Sequence, residues 1–175
     1  MTTWNIDTAH SEIGFKVKHL VISTVKGTFT NFDAQIHTEG EDFENSTINF
    51  TAHADSITTN NTMRDDHLKN ADFFDLAQFP TVTFTSTSIS ENTDGTFAVN
   101  GNFAMHGVTK PITLTTTYNG SIVDAYGNTV KSFDIHGSLH RSEFGLVWNA
   151  PLTAGGVSVS DEVKLEIAAE FKEVK

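Results

Sequence analysis

The stretch that decides the fold lies near the end of the chain and reads Val163-Lys164-Leu165-Glu166-Ile167-Ala168-Ala169-Glu170-Phe171-Lys172. Apolar and polar residues alternate along most of it. Because successive side chains of a β-strand point to opposite faces, the stretch predicts a strand with one apolar face and one solvated face. A slip of one residue would exchange the two faces, so the register of this strand is strongly specified.

The same alternation recurs along the chain, and phenylalanine supplies much of its apolar side. Of the aromatic residues, 14 are Phe, 2 are Trp and 2 are Tyr. Phe15, Phe50 and Phe103 each have apolar or small residues two positions away, on the same predicted face. Almost no segment has the period of a helix that would cover these faces. A sheet that helices do not cover must cover itself, which predicts closure into a barrel.

Turn residues divide the chain into strand-like segments, as at Glu39-Gly40, Asp94-Gly95 and Asn119-Gly120. The predicted strands lie near residues 11–19, 28–37, 46–55, 80–89, 96–105, 111–118, 132–148 (bent or interrupted) and 157–171. No linker, repeat or charge block marks a second domain. We therefore predict one all-β domain over residues 1–175, an antiparallel up-and-down barrel of about eight strands.

One segment, near residues 62–75, departs from the strand pattern. Its apolar residues, among them Leu68 and Phe74, follow helical spacing. Thr62 is the predicted N-cap, with Asn61 as the alternative. A short helix between two strands is well placed to plug one end of a barrel.

The overall charge restricts the classes of partner. The formal net charge of −11 argues against binding to a nucleic-acid backbone. The chain has no cysteine, so thiolate metal sites and disulfides are excluded. No stretch is long and apolar enough to predict a transmembrane segment, and the first residues do not resemble a signal peptide. These features predict a cytoplasmic protein, or a periplasmic one if the chain is a trimmed mature form.

The barrel interior is predicted to be either closely packed or hollow. Small residues such as Ala34, Ala52 and Gly101 fall at inward positions. They either make room for bulky neighbours or leave a void. An apolar void would suit a long hydrocarbon chain, since each buried methylene contributes about 0.8 kcal/mol.

Specific sequence motifs favour one of these two interiors. Five of them occur in order: Trp4-x-Ile6-Asp7-x-x-His10-Ser11-x-Ile13-x-Phe15-x-x-x-His19; Val25-x-Gly27-x-Phe29-x-x-Phe32; Arg64-Asp65-x-His67-Leu68-x-x-x-Asp72-Phe73-Phe74, running into Phe79-Pro80-x-x-x-Phe84-x-Ser86; Gly107-Val108-Thr109-Lys110-Pro111; and Arg141-x-x-Phe144-Gly145. From Trp4 to about Phe171 the sequence closely resembles the YceI-like family of polyisoprenoid-binding proteins.

The resemblance implies a lipocalin-like barrel with a long apolar pocket, usually dimeric, that holds a polyisoprenoid, an isoprenoid quinone or a fatty-acid derivative. It implies no established reaction. We accordingly predict a homodimer that binds an apolar lipid without catalysis, for storage, transport or sequestration, with no metal and no cofactor besides the lipid. The candidate ligand-binding residues are Phe15, Val17, His19, Phe29, Phe32, Ile48, Phe50, Leu68, Phe74, Phe84, Phe103, Leu114 and Phe133.

Two other functions are compatible with the sequence. A hydrolase or isomerase would use cavity-facing His19 or the cluster from Arg64 to His67 on a lipid-like substrate. The structural interpretation of that cluster is helix capping, with an Asp65–Arg64 pair that fixes the helix to the barrel, and Arg141 is interpreted as an anchor of the same kind. A third hypothesis is a stress-related interaction module whose barrel is solid.

Overall fold

The computed structural model describes residues 1–175 and is built almost entirely from strands. Their bounds are β1 Thr2–Ile6, β2 Glu12–His19, β3 Ser23–Phe29, β4 Phe32–Thr38, β5 Ser46–His53, β6 Ile57–Thr58, β7 Thr81–Glu91, β8 Phe97–Met105, β9 Val108–Val123, β10 Thr129–His140 and β11 Val159–Glu173. The only α-helix, α1, spans Thr62–Lys69. Short 3-10 turns occupy Thr8–His10, Phe43–Asn45, Ala54–Ser56 and Arg141–Phe144.

The strands close into an eight-stranded antiparallel barrel. The pairing order is β1-β4-β5-β7-β8-β9-β10-β11, and the β1–β11 pairing completes the ring. Three of the eight barrel strands are bent, and each is divided into two shorter strands. These pairs are β1 with β2, β3 with β4, and β5 with β6. The predicted fold class is therefore confirmed, with a lipocalin-like arrangement in which chain neighbours are also neighbours in the barrel.

Several boundaries differ from the predicted ones, and bends explain most of the differences. The strand predicted at 28–37 starts at Ser23 and is broken at residues 30–31, where the chain turns a corner of the barrel. β1 was absent from the predicted set because five residues are too few to show a period. The segment predicted at 132–148 is strand only to His140 and then forms a 3-10 turn.

The helix is shorter than predicted and begins one residue away from the favoured cap. The side chain of Asn61 accepts a hydrogen bond from the backbone N–H of Arg64 at 3.0 Å, so Asn61 is the N-cap and the choice of Thr62 is wrong. The helix ends at Lys69 because Asn70 adopts an extended conformation. Residues 71–74 continue as turns, which place Phe73 and Phe74 against the barrel. None of the helices is both long and apolar enough to span a bilayer.

The two ends of the barrel are built from different connections. We call one the helix end; it carries α1 and the connections at residues 20–22, 59–80, 106–107 and 141–158. We call the other the far end; it carries the connections at residues 39–45, 92–96 and 124–128. The interior between the two ends contains the site described next.

Candidate functional site

The inward faces of the strands enclose one large cavity. It contains about 1510 Å³ of space free of protein atoms, including the part open to solvent, and 35 residues line it. Of these, 32 are hydrophobic, and the other three are Gly14, Thr116 and Arg141. A cavity with so few polar groups cannot hold a network of ordered water and is suited to apolar matter.

The small inward residues make room for bulky neighbours at some positions and border the cavity at others. Rings fill the place of the missing side chain at two glycines: a Cβ on Gly101 would collide with the ring of Phe84, and one on Gly27 with the ring of Phe15. The alanines behave differently, since Ala34, Ala52 and Ala169 line the open space. The wall is therefore closely packed around a central apolar cavity, which argues against a solid barrel.

Eleven of the thirteen predicted binding residues line this cavity: Phe15, Val17, Phe29, Ile48, Phe50, Leu68, Phe74, Phe84, Phe103, Leu114 and Phe133. His19 and Phe32 do not, although each has the inward parity. His19 is the last residue of β2, so its half-buried side chain lies beyond the end of the lining. Phe32 directly follows the corner between β3 and β4 and packs into the cluster that contains Trp4. The two predictions of a cavity position are thus corrected.

The cavity is closed at the far end by interlocked aromatic rings. Phe43, from the β4–β5 connection, lies with its ring centroid 5.1 Å from that of Phe97 and 5.1 Å from that of Phe133. Phe133 also contacts Phe171 at 5.9 Å and Tyr118 at 5.2 Å. Sequence reasoning missed Phe43 because it lies in a connection with no alternating pattern.

At the helix end, the closing residues come from segments outside the sheet. Phe74 packs edge-on against Phe29 of β3, with 6.1 Å between the ring centroids. Phe73 lies 5.4 Å from Trp148 of the β10–β11 connection. The ring of His67, on α1, contacts both Phe73 at 5.0 Å and Trp148 at 4.8 Å. These rings form a lid over the cavity.

Arg141 holds one side of this lid in place. Its guanidinium donates hydrogen bonds to four backbone carbonyl oxygens, those of Leu146 (2.7 Å), Trp148 (2.9 Å), Val159 (3.2 Å) and Ser160 (2.9 Å). Only 6 % of the residue is exposed. Burial lowers the pKa of Arg141, and the charge of nearby Asp161 partly offsets this effect. The anchoring interpretation of Arg141 thus has a geometric basis in these four contacts.

The polar cluster on α1 makes structural contacts, and none of its residues lines the cavity. Arg64 and Asp65 do not pair with each other as predicted; both bind Thr59. Arg64 donates to the hydroxyl and carbonyl oxygens of Thr59 at 2.7 and 2.8 Å, and Asp65 accepts from its N–H at 2.8 Å. His67 lies 2.9 Å from a carboxylate oxygen of Asp72. The bonds to Thr59 fasten α1 to the end of β6.

The histidines offer no catalytic arrangement inside the barrel, since none of them lines the cavity. His10 lies 2.8 Å from Asp7, and both are near Glu170 on the outside of the barrel. Lys172 already binds the carboxylate of Asp7 at 2.6 Å, and this hydrogen bond lowers the pKa of Asp7 to about 2. A cation at this position would therefore compete with the Lys172 ammonium for the Asp7 carboxylate.

Comparison with known proteins agrees with this architecture. The sequence profile described as the YceI-like domain matches residues 4–171. The chain belongs to the YceI-like family. Among its relatives, a UPF0312 protein of Staphylococcus aureus is 36% identical over 172 residues, which cover 98% of each chain.

Solved structures of similar proteins have the same fold. The YceI protein of Campylobacter jejuni is 32% identical, with a TM-score of 0.77 over 97% of this YceI-like chain and 96% of that one. A polyisoprenoid-binding domain of Saccharophagus degradans, implicated in plant cell wall breakdown, matches with a TM-score of 0.67 over 97% of each chain. At 13% identity, this second likeness concerns the fold alone.

Proposed function

We propose that this YceI-like protein binds one long apolar lipid inside its barrel, without chemical conversion, for storage, transport or sequestration. The observation that carries the proposal is the lining, in which 32 of 35 residues are hydrophobic. The naming of a structural neighbour as a polyisoprenoid-binding domain supports the same chemistry. The proposed ligands are a polyisoprenoid, an isoprenoid quinone or a fatty-acid derivative.

The lining also limits which part of the ligand enters. Its charged member, Arg141, donates to four carbonyl oxygens of the protein itself, and its other polar side chain is the hydroxyl of Thr116. A buried polar group without a partner costs roughly 1–3 kcal/mol, so a head group gains nothing by entering. Ten buried methylenes would contribute about 8 kcal/mol before the costs of binding. We therefore place the hydrocarbon tail inside and the head group at the lid.

The enzymatic alternative has no comparable support, because it requires polar groups that converge on a substrate within hydrogen-bond reach. His19 lies outside the lining, and the side chains of Arg64 and His67 are engaged with Thr59 and Asp72. Homodimerisation and the cytoplasmic location stay predictions. Light scattering on the purified chain measures the first, and fractionation of cells that express the natural gene measures the second.

Organic extraction of gently purified protein, followed by mass spectrometry, tests the proposal. We expect about one lipid per barrel, with a hydrocarbon tail long enough to fill the cavity. Stripped protein should rebind members of a panel that contains a polyprenol, a quinone and a fatty acid. A preparation that carries no stoichiometric lipid and binds no member of the panel contradicts the proposal.

A further inference from the structure

Apolar side chains project into solvent from the turn that joins β2 to β3, which we call the tip (Leu20, Val21 and Ile22). Their exposed fractions are 43%, 64% and 89%. Leu20 and Val21 also have positive φ angles of 53° and 67°, which glycine and asparagine tolerate and a β-branched residue adopts only under strain. A surface turn with ordinary polar residues would avoid both costs. The tip therefore has features that folding alone does not explain.

The tip belongs to an apolar surface that runs into the cavity. The N–H of Leu20 donates to the carbonyl of Ser158 at 2.9 Å, which joins the tip to the β10–β11 connection. Val157, beside Ser158, is 45% exposed, whereas Val159 lines the cavity. In the same connection, Val147 is 68% exposed and its neighbour Leu146 lines the cavity. Exposed apolar residues next to the tip are thus close chain neighbours of residues that line the cavity.

The stem below the tip has the opposite charge to the rest of the protein. The whole chain has a formal net charge of −11, but residues 12–29 contain three lysines and one glutamate. Lys16 and Lys26 are cross-strand partners, and Lys18 lies on the same outer face as Lys16. Lys16 is engaged with Glu166, which leaves the positive charges of Lys18 and Lys26 without a carboxylate partner within 4 Å. Anionic groups near the tip would meet this positive stem.

We propose that the β2–β3 hairpin docks on a lipid bilayer, with the tip in the interfacial region and Lys18 and Lys26 at the level of anionic headgroups. An apolar end followed by lysines is the pattern of interfacial membrane attachment. A symmetric contact between two copies would instead bring the same lysine-rich face against itself. The purpose of docking, exchange of the bound lipid with the bilayer, rests on the proposed function. The docking itself does not.

Flotation with vesicles tests the proposal on the full chain. Wild-type protein should float with vesicles of phosphatidylcholine and phosphatidylglycerol and bind pure phosphatidylcholine vesicles more weakly. The variant Val21→Asn/Ile22→Ser should lose about tenfold in vesicle affinity, as expected when apolar contacts leave the interface. Since asparagine tolerates a positive φ, this variant is expected to fold at least as well.

A matched control exists at the opposite end of the barrel. Ile122 and Val123 are also apolar, exposed by 71% and 63%, and near a hairpin turn, but at the far end. Ile122→Ser/Val123→Ser should leave vesicle binding unchanged. Lys18→Gln/Lys26→Gln should remove the preference for phosphatidylglycerol, a loss of about thirtyfold for two lysines near the surface.

Two results would overturn the docking proposal: wild-type protein that does not float, or equal losses in the tip variant and the far-end control. A tip variant that changes only the oligomeric state in light scattering would show self-association and also overturn it. Loading of a polyprenol from detergent micelles separates the two proposals. Protein that loads from micelles but does not float refutes docking alone, and protein that floats but never loads refutes the proposed function alone.

Discussion

The two ends of the barrel are both closed by aromatic rings, but the rings are held in different ways. At the far end, Phe133 and Phe171 are strand residues within the β10–β11 ladder, and Phe43 packs between Phe133 and Phe97. At the helix end, Phe73 and Trp148 belong to connections outside the sheet. The rings of the far end are therefore part of the core, whereas the rings of the helix end belong to connections attached to the core.

The segments that close the helix end can open locally. Helices shorter than about 12 residues are marginal on their own, and α1 has eight. Few side-chain bonds fasten it. The bonds to Thr59 are partly buried, whereas the bond between His67 and Asp72 is exposed. Local opening starts where few apolar contacts and many solvent-exposed hydrogen bonds hold a segment. On the proposed function, we expect lipid exchange at the helix end and resistance to unfolding at the far end.

The largest expected effect is on stability, from truncation at the far end. Phe133 is 2% exposed and contacts Phe43, Tyr118 and Phe171. Phe133→Ala should lower the free energy of unfolding by about 3–5 kcal/mol, because rigid neighbouring strands cannot collapse into the vacated space. Urea unfolding of stripped protein measures this. A loss under about 1 kcal/mol would show that the far end is not part of the core.

The matched truncation at the helix end should act mainly on exchange. Phe73 is also buried, at 7% exposure, but its segment can move to fill the gap. We expect Phe73→Ala to cost about 1–2 kcal/mol in unfolding, less than Phe133→Ala, since the cost depends on how far a site relaxes. Release of a bound polyprenol, followed by transfer to acceptor vesicles, should become faster. Unchanged release would contradict the assignment of the lid.

A smaller change at the helix cap sharpens the same point. Asn61→Ala removes the side chain that caps α1 and should destabilise the helix by about 1 kcal/mol. Hydrogen exchange of the α1 amides should accelerate while that of β10 and β11 stays the same. Thr62→Ala is the control, because Thr62 makes no capping bond. Equal acceleration in both variants would mean that capping does not limit the opening of the lid.

The smallest expected effect is a pH dependence of the free energy of unfolding, which comes from an ion pair on the outside of the barrel. The hydrogen bond from Lys172 lowers the pKa of Asp7 to about 2 from an ordinary 3.8. The ion pair therefore contributes above pH 3.8 and is lost as the pH falls towards 2. For a pair near the surface we expect at most about 1 kcal/mol.

Asp7→Asn should flatten the pH dependence of urea unfolding between pH 4 and pH 2 by about this amount. Asp33→Asn, which removes an exposed carboxylate with no salt bridge, serves as the control. An unchanged slope for Asp7→Asn, or the same flattening in the control, would contradict the assignment.

The sequence predicts the barrel well because its evidence is periodic. β11 shows the alternation along most of its length, and its inward residues Val163, Leu165 and Ile167 do line the cavity. The corners of the bent strands were missed, since a corner changes direction without changing composition. Parity gives the face of a residue but not its place along a strand: His19 is the last residue of β2, and Phe32 directly follows a corner, so neither lines the cavity.

The lid was harder to predict than the wall. Phe73 and Leu146 line the cavity from connections that have no period, so only their place in the folded chain reveals them. The sequence indicates an anchoring role for Arg141 but not its partners, which are four backbone carbonyl oxygens. Those partners lie 5 to 19 residues away, at separations that no local pattern indicates.

A pair of adjacent alanines tests the central claim most directly. Ala169 lines the cavity at 3% exposure, whereas Ala168 faces solvent on the same strand. Native mass spectrometry should find about one lipid per barrel in wild-type protein and in Ala168→Phe. It should find none, or only a shorter lipid, in Ala169→Phe, whose added ring occupies the space of the tail. Equal lipid content in the two variants would contradict binding inside the barrel.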